Sequence, residues 1–490
     1  MNNVLPSIEH VIQRREYQEL ILKRLKENFC SKPKRHTIAE VDTGLGKRVL
    51  TYLMMKETLP DQKFLLLLHS TTSYVETIHY FNQEYGGFEG EYTFQGISSR
   101  TPPWLREKIL RNNETRIVAS TPQTFTNAYK KICPPPKFDV IMINEVDKIV
   151  RRQGDERLLI YPYNWLIPFF ISQGAWIIGM TGTLRDSHIF YNSKKDMIEI
   201  QNELISLDKR IPNLYVIQME TLIEKTDIKD YIEGSVSYIQ MYPVEASPEL
   251  LEILETIDQA IKELRSIIIE EIQEKNPTLI EAIPSNQLAL VSGMLESESG
   301  EGQKYQGLLL IRKYCTAMQP KKYRKFLFRL QKYGMKKDLI YSLPDRNIKV
   351  SAVLELIQKQ PTNSKTVVLC SYLDTANELL NTIEASQVKA FLISGQVRNK
   401  GSILTEFKGY TGKAVLVMTS VGERDIDLPQ AKLLIVYDSI NTTKTMYQRM
   451  KRTRGGLVLC LYYKNTFEEK KVNRLLQDIK KRYPWSSVIE

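Results

Sequence analysis

The sequence is poor in the residues that build covalent or metal-held frameworks. Its five cysteines (Cys30, Cys133, Cys315, Cys370 and Cys460) lie far apart in a chain of 490 residues and form no C-x-x-C pair. Its five histidines never fall at ligand spacing. Disulfides, zinc and an iron–sulfur cluster are unsupported, no metal site is assigned, and buried reduced thiols are expected. Long apolar runs are also missing, since stretches such as Phe64–Leu68 fall far short of the ~20 residues that span a bilayer. The opening MNNVLPSIEHVIQRR has no apolar secretory core. The expectation is a soluble intracellular protein, cytoplasmic or nuclear, without a membrane partner. No short-period repeat or low-complexity tract interrupts the chain. A composition of 42% hydrophobic and 26% charged residues excludes a disordered or collagen-like chain and gives room for two or three domains.

What is present is a basic excess. The formal net charge is +11 and the sequence pI about 9.1, the sign that suits a phosphate-rich partner. Over the first 220 residues, buried-type apolar runs alternate with helix-like segments: KFLLLLH, TRIVAST, FDVIMIN and AWIIGMT. The grammar returns after residue 345 in KTVVLCS, KAFLIS, AVLVMTS, KLLIVYD and GLVLCLYY, with a helix predicted over Asp374–Ile383. Runs buried on both faces predict parallel sheets covered by helices, hence two α/β domains. Between them, Leu250, Leu254, Ile257, Ile261, Leu264, Ile268 and Ile272 recur at helical spacing after Ser247 as N-cap and Pro248 in the first turn. Bundle packing is the expected use of this helix. The polar Leu295–Gln303 reads as a loop, and helical periodicity with a dense basic face resumes after it. The expected domains are residues 1–220, a helical insertion at 221–345, and 346–490.

Ala39-Glu40-Val41-Asp42-Thr43-Gly44-Leu45-Gly46-Lys47-Arg48 places a glycine-bearing loop between a strand and a helix. Main-chain N–H groups at Thr43, Gly44 and Gly46, with Lys47 as a mobile cation, make a phosphate cradle. The phosphate-loop pattern wants Ser or Thr after the lysine so that a hydroxyl ligates Mg²⁺, and here Arg48 stands there. Further on, FDVIMIN ends in Asn144-Glu145-Val146-Asp147, where a nucleotide hydrolase carries an acidic pair. Glu145 is the candidate base. Asn144 lacks the charge that balances a divalent ion.

These strings resemble those of superfamily 2 helicases, specifically the archaeal Hef, FANCM and XPF group, over nearly the whole chain. Arg15-Glu16-Tyr17-Gln18 resembles the R-x-Y-Q adenine-reading element, Val41–Arg48 motif I, and His69–Glu76 motif Ia. Ser120-Thr121-Pro122-Gln123-Thr124 resembles the A-T-P-Q-T strand-contacting motif, Asn144–Asp147 the D-E-A-H box, and Gly179–Thr183 motif III. In the second half, Tyr372–Ala376 is similar to Y-R-D-T-A, Thr419–Pro429 to T-S-V-G-E-E-G-L-D-I-P, and Gln448–Arg454 to Q-R-x-G-R-T-G-R. The resemblance implies two RecA-like lobes with an all-helical insertion that grips branched DNA. It implies ATP held by Arg15, Tyr17, Gln18, Thr43, Gly44, Gly46, Lys47, Arg48, Asn144 and Asp425. Thr121 and Gln123 would touch the polynucleotide, through phosphate and sugar.

Departures from the pattern cluster at the nucleotide: Arg48 for Thr, Asn144 for Asp, Asp147 for His, Asp425 for Gly, and a displaced arginine-finger string that leaves Arg452 and Arg454 out of register. Losing one well-placed stabiliser of phosphoryl transfer commonly costs about 3 kcal/mol, so two or three losses would suppress turnover by orders of magnitude. ATP binding is left open and Mg²⁺ is placed in doubt. Arg48 is expected either to pair with Asp42 or Asp147, or to touch nucleotide phosphates directly.

In the insertion, Lys321, Lys322, Arg324 and Lys325 are the candidate nucleic-acid contacts, and Phe326, Leu330 and Tyr333 form a stripe expected in the core. The reading is a helicase-like protein acting on forked, branched or single-stranded DNA in repair or fork processing, with impaired or lost hydrolysis. The alternatives are an active ATP-dependent helicase relying on Lys47, Glu145, Arg452 and Arg454, and an adaptor that recruits a nuclease or repair protein in trans.

Overall fold

The computed structural model describes residues 12–42, 44–150, 162–182, 184, 187–192, 197–233, 238–275, 288, 300–397, 399–419, 431–438, 443, 446–447 and 456–483. It divides into two compact units, residues 1–232 and 233–490. No helix among the described residues is long and apolar enough to cross a membrane.

The first unit is built on seven parallel strands. They are β1 (His36–Glu40), β2 (Phe64–Leu67), β3 (Phe94–Ile97), β4 (Ile117–Ser120), β5 (Val140–Asn144), β6 (Trp176–Thr181) and β9 (Leu214–Ile217), in the spatial order β3-β4-β2-β5-β6-β1-β9. An antiparallel pair, β7 (Ser187–Asn192) and β8 (Met197–Asn202), stands apart from this sheet. The runs KFLLLLH, TRIVAST, FDVIMIN and AWIIGMT are β2, β4, β5 and β6, buried on both faces as their composition predicts. Strands β3 and β9 were not legible as such, because these edge strands are half-buried and their apolar runs are short.

The second unit repeats the architecture with six parallel strands: β10 (Tyr238–Val244), β11 (Lys365–Cys370), β12 (Lys389–Ile393), β13 (Ala414–Thr419), β14 (Leu433–Val436) and β15 (Leu457–Tyr463), ordered β10-β15-β14-β11-β13-β12. The five runs read from the sequence are β11 to β15. Strand β10 falls within the stretch expected to be helical and interrupts its helices; it lies at the sheet edge in parallel register with β15.

A helix runs over Pro248–Lys275, and Ser247 Oγ accepts the Leu250 N–H at 3.3 Å as its N-cap. All seven apolar positions from Leu250 to Ile272 are buried. This helix packs along Glu301–Ala317, so bundle packing is indeed its use. Glu301–Gln303, expected as loop, opens that second helix behind Gly300. The basic stretch follows as a helix at Pro320–Leu327, a 3₁₀ segment at Phe328–Tyr333 and a helix at Lys337–Ser342.

A buried polar network fixes these helices to the second sheet. Asn347 Nδ2 donates to the carbonyls of Thr316 and Met318, and Asn347 Oδ1 accepts from Tyr463 Oη at 2.8 Å. Next to it, Lys349 Nζ meets Glu468 Oε2 at 2.6 Å, both side chains at most 1% exposed, and the same oxygen accepts the Tyr463 N–H. Removing one partner of such a pair strands a charge in the interior. Lys349→Met is therefore expected to lower the stability of the second unit by about 3–5 kcal/mol in denaturant unfolding, and Lys349→Met/Glu468→Gln to lose clearly less. Equal losses in the single and double variants would refute the pair's role.

Candidate nucleotide site and nucleic-acid contacts

Parallel strands deliver their following loops to one edge of the sheet, where ligands of open α/β sheets bind. After β1 the chain turns through Gly44 and Gly46, both in the left-handed region (φ 87° and 77°) that suits glycine. The helix Lys47–Leu53 starts there and continues as a π-helical segment, Met54–Thr58. A Cβ on Gly46 would lie 2.7 Å from Gln18 Nε2, the movable end of a side chain, so it is the positive φ that calls for glycine here. Lys47 Nζ donates to the Val41 carbonyl at 3.2 Å and stands 3.7 Å from Glu145 Oε1. Glu145 itself follows β5 with φ 55° and ψ 57°, a strained setting for a residue with a Cβ. Such strain collects at functional sites.

The adenine-reading candidates cluster at the start of the helix Glu16–Cys30. Tyr17 Oη donates to the Leu45 carbonyl at 3.0 Å, which ties this helix to the phosphate loop. Burial pushes the Tyr17 phenol up from its ordinary pKa, against the opposing pull of its hydrogen bond from Arg15, so it stays a donor. The Arg15 guanidinium lies 4.0 Å over the ring of Tyr231. Gln18 is 3% exposed, and its Oε1 has no hydrogen-bond partner. An orphaned, buried acceptor beside the glycine loop fits a purine amino group. The residues present therefore fit a nucleotide: Arg15, Tyr17 and Gln18 at the base, and Gly44, Gly46 and Lys47 at the phosphates.

At the two positions where the motif patterns would anchor Mg²⁺, the side chains are engaged with one neighbouring helix. Arg48 Nη2 meets Glu76 Oε2 at 2.8 Å, and its guanidinium lies 4.4 Å over the Tyr80 ring. Asn144 Nδ2 donates to Ser73 Oγ at 3.4 Å. Among the described residues no group of three His, Cys, Asp or Glu side chains is placed to hold a metal ion. Glu76 is a partner of Arg48 that the sequence did not single out. Its signal lay in the spacing of Ser73, Glu76 and Tyr80, three and then four residues apart on one helical face. Asp147, fully buried, accepts a hydrogen bond from Thr181 Oγ1 at 3.0 Å, linking the segment after β5 to the end of β6. Gly179 permits this, because a Cβ there would meet the Val146 side chain at under 3 Å.

Thr121 precedes the helix Pro122–Tyr129; its hydroxyl bonds Thr124 Oγ1 at 2.9 Å, and Gln123 Nε2 bonds Asn127 Oδ1 at 3.0 Å on an exposed face. In the second unit Lys321 and Lys325 are exposed, but Lys322 pairs with Asp374 at 2.8 Å, and Arg324 donates to the Leu343 carbonyl and meets Asp345. Of the expected core stripe only Leu330 is buried; Phe326 and Tyr333 are half-buried, and Tyr323 and Leu327 fill the core instead. Thr43, Asp425, Arg452 and Arg454 lie outside the described residues.

Two family descriptions match the chain: "Type III restriction enzyme, res subunit" over residues 11–186 and "Helicase conserved C-terminal domain" over 348–456. A putative ATP-dependent RNA helicase of Methanocaldococcus jannaschii is 20% identical over 96% of this chain and 61% of its own length. The ATP-dependent DNA helicases mph1 of Neurospora crassa and MPH1 of Pyricularia oryzae are 22% and 26% identical, each over 76% of this chain and 35% and 37% of theirs. The chain thus spans between about a third and three-fifths of the length of these relatives. Among solved structures, the Pyrococcus furiosus Hef helicase domain superposes with a TM-score of 0.56 at 20% identity, over 94% of this chain and 98% of that one. Yeast Dbp5 bound to RNA and ADP BeF3 gives 0.54 at 14% identity, over 97% and 89%. With the helicase motifs in order along two parallel-sheet units and matches of this kind across both, the chain belongs to the Hef/FANCM-like group of superfamily 2 helicases.

Proposed function

We propose that this protein binds forked, branched or single-stranded DNA in repair or fork processing, and that it takes up a nucleotide whose hydrolysis is impaired. One observation carries the second half: at the two positions where the fold normally anchors Mg²⁺, Arg48 and Asn144 engage Glu76 and Ser73. Phosphoryl transfer depends on metal and positioned cations to neutralise developing charge, and a guanidinium paired with a carboxylate offers no oxygen ligand to a metal. The DNA half draws on the relatives named as DNA helicases, on the net charge of +11, and on the exposed Lys321 and Lys325.

A second reading, a working ATP-dependent helicase, is favoured by Lys47 and Glu145, which stand 3.7 Å apart. Steady-state phosphate release on forked DNA separates the two. The native chain is expected to turn over no more than about twofold faster than Lys47→Ala, because the metal-dependent stabilisation is missing in both. A robust native rate that vanishes in Lys47→Ala would instead establish the active enzyme.

The contact set is tested by charge reversal confined to the two exposed lysines that do not serve Asp374 or Leu343. Lys321→Glu/Lys325→Glu is expected to reduce the slope of log affinity against log salt by about 1–2, with stability changed by less than about 0.5 kcal/mol. Anisotropy titrations on a forked duplex at several salt concentrations read the slope. An unchanged slope would remove this helix from the DNA contacts.

A further inference from the structure

The two departures at the metal-anchoring positions converge on one helix. Arg48 reaches Glu76 and Tyr80, and Asn144 reaches Ser73, all on a single stripe of the helix Thr71–His79 and its π-helical continuation Tyr80–Glu84. Magnesium demands six oxygen ligands in near-ideal geometry, several of them anionic or water. A guanidinium supplies donors only, and a carboxamide brings no charge. A guanidinium does what a metal does at a phosphate in one respect: it is a permanent cation, and its fork of N–H groups matches two phosphate oxygens. Arg48 and Glu76 are each about a quarter exposed, at 23% and 24%, so the pair is open to exchange with a ligand. Independently, the orphaned Oε1 of Gln18, with that residue 97% buried, points to a ligand on the base side of the same loop.

We infer that this site takes a nucleoside di- or triphosphate without a divalent cation, with Arg48 in place of the metal and Glu76 as the counter-charge that holds Arg48 when no phosphate is present. Phosphate oxygens and the Glu76 carboxylate then compete for one guanidinium. Binding releases Glu76, and with it the helix that carries the motif Ia residues, so nucleotide occupancy reaches the polynucleotide-contacting side of the unit without hydrolysis. The inference rests on the nucleotide half of the reading above and adds the metal-free mode and Glu76 as its positioning residue.

Isothermal titration of the full chain with ADP and ATP, in Mg²⁺ and in excess EDTA, tests it. The native chain is expected to show dissociation constants within about threefold of each other in the two buffers, since no cation is recruited. Arg48→Thr should weaken the EDTA affinity by about tenfold or more, and Arg48→Lys by less, because it keeps charge but loses the fork. Glu76→Gln, which removes the competing carboxylate at constant shape, should tighten it severalfold. Thermal unfolding of each variant confirms that it is folded, and Glu76→Gln carries the test if Arg48→Thr is not. Tightening of the native chain by tenfold or more in Mg²⁺, or Glu76→Gln binding no better than native, overturns the inference. An absence of nucleotide binding in both buffers does so as well. Anisotropy with forked DNA on the same samples is independent of these outcomes: its loss would sink the DNA-binding reading, and its persistence leaves that reading standing whatever the nucleotide does.

Discussion

Everything at the candidate site depends on a topological constraint: parallel strands that all end on one edge of a sheet. Strand β1 lies between β6 and β9, and β5 between β2 and β6, so the loops after β1, β5 and β6 emerge side by side. That adjacency sets Lys47 against Glu145 and Thr181 against Asp147 across more than thirty residues of sequence in the second case and nearly a hundred in the first. The packing underneath is unforgiving, since the Gly179 position has no room for a Cβ against Val146. Gly46 is fixed instead by its left-handed backbone, at φ 77°. The site is therefore held by backbone approach as much as by polar bonds.

Two kinds of ion pair serve two purposes in this chain. Lys349–Glu468 is buried completely, and its desolvation cost offsets much of its attraction, so its value lies in specifying how Asn347 and Tyr463 dock the helices onto the second sheet. Arg48–Glu76 and Lys47–Glu145 are partly exposed, and screened pairs of that sort contribute little to stability. Weak pairs can give up a carboxylate for another anion at little cost. Stability and exchangeability are thus assigned to different lysine and arginine residues.

The parallel sheets were legible because strands buried on both faces must be continuously apolar, and nine such runs became β2, β4–β6 and β11–β15. The edge strands β3, β9 and β10 escaped because half-exposed edges tolerate polar residues. At the site, the loop glycines, Lys47 and the oddity of Arg48 and Asn144 could be read from spacing. Their partners could not. Glu76 and Ser73 reach Arg48 and Asn144 only through the packing of the helix after β2 against the loops after β1 and β5, which is tertiary information. The same limit applied to the basic helix, where the sequence does not show that Lys322 meets Asp374 or that Arg324 meets the Leu343 carbonyl and Asp345.

That last difference sharpens what a polynucleotide would meet on the second unit. The helix Pro320–Leu327 is amphipathic: Tyr323 and Leu327 enter the core, while Lys321 and Lys325 face outward. Tyr323 Oη reaches the Cys315 carbonyl, and Thr375 Oγ1 donates to the Ala317 carbonyl at 2.7 Å, so both ends of the turn before this helix are tied down. The Lys322–Asp374 pair adds a third tie, to the first turn of the helix Leu373–Ala385. A basic surface anchored in this way keeps its charges in fixed register with the Y-R-D-T-A-like segment of its own unit. The cations spent on anchoring hold Lys321 and Lys325 at a set position on the surface.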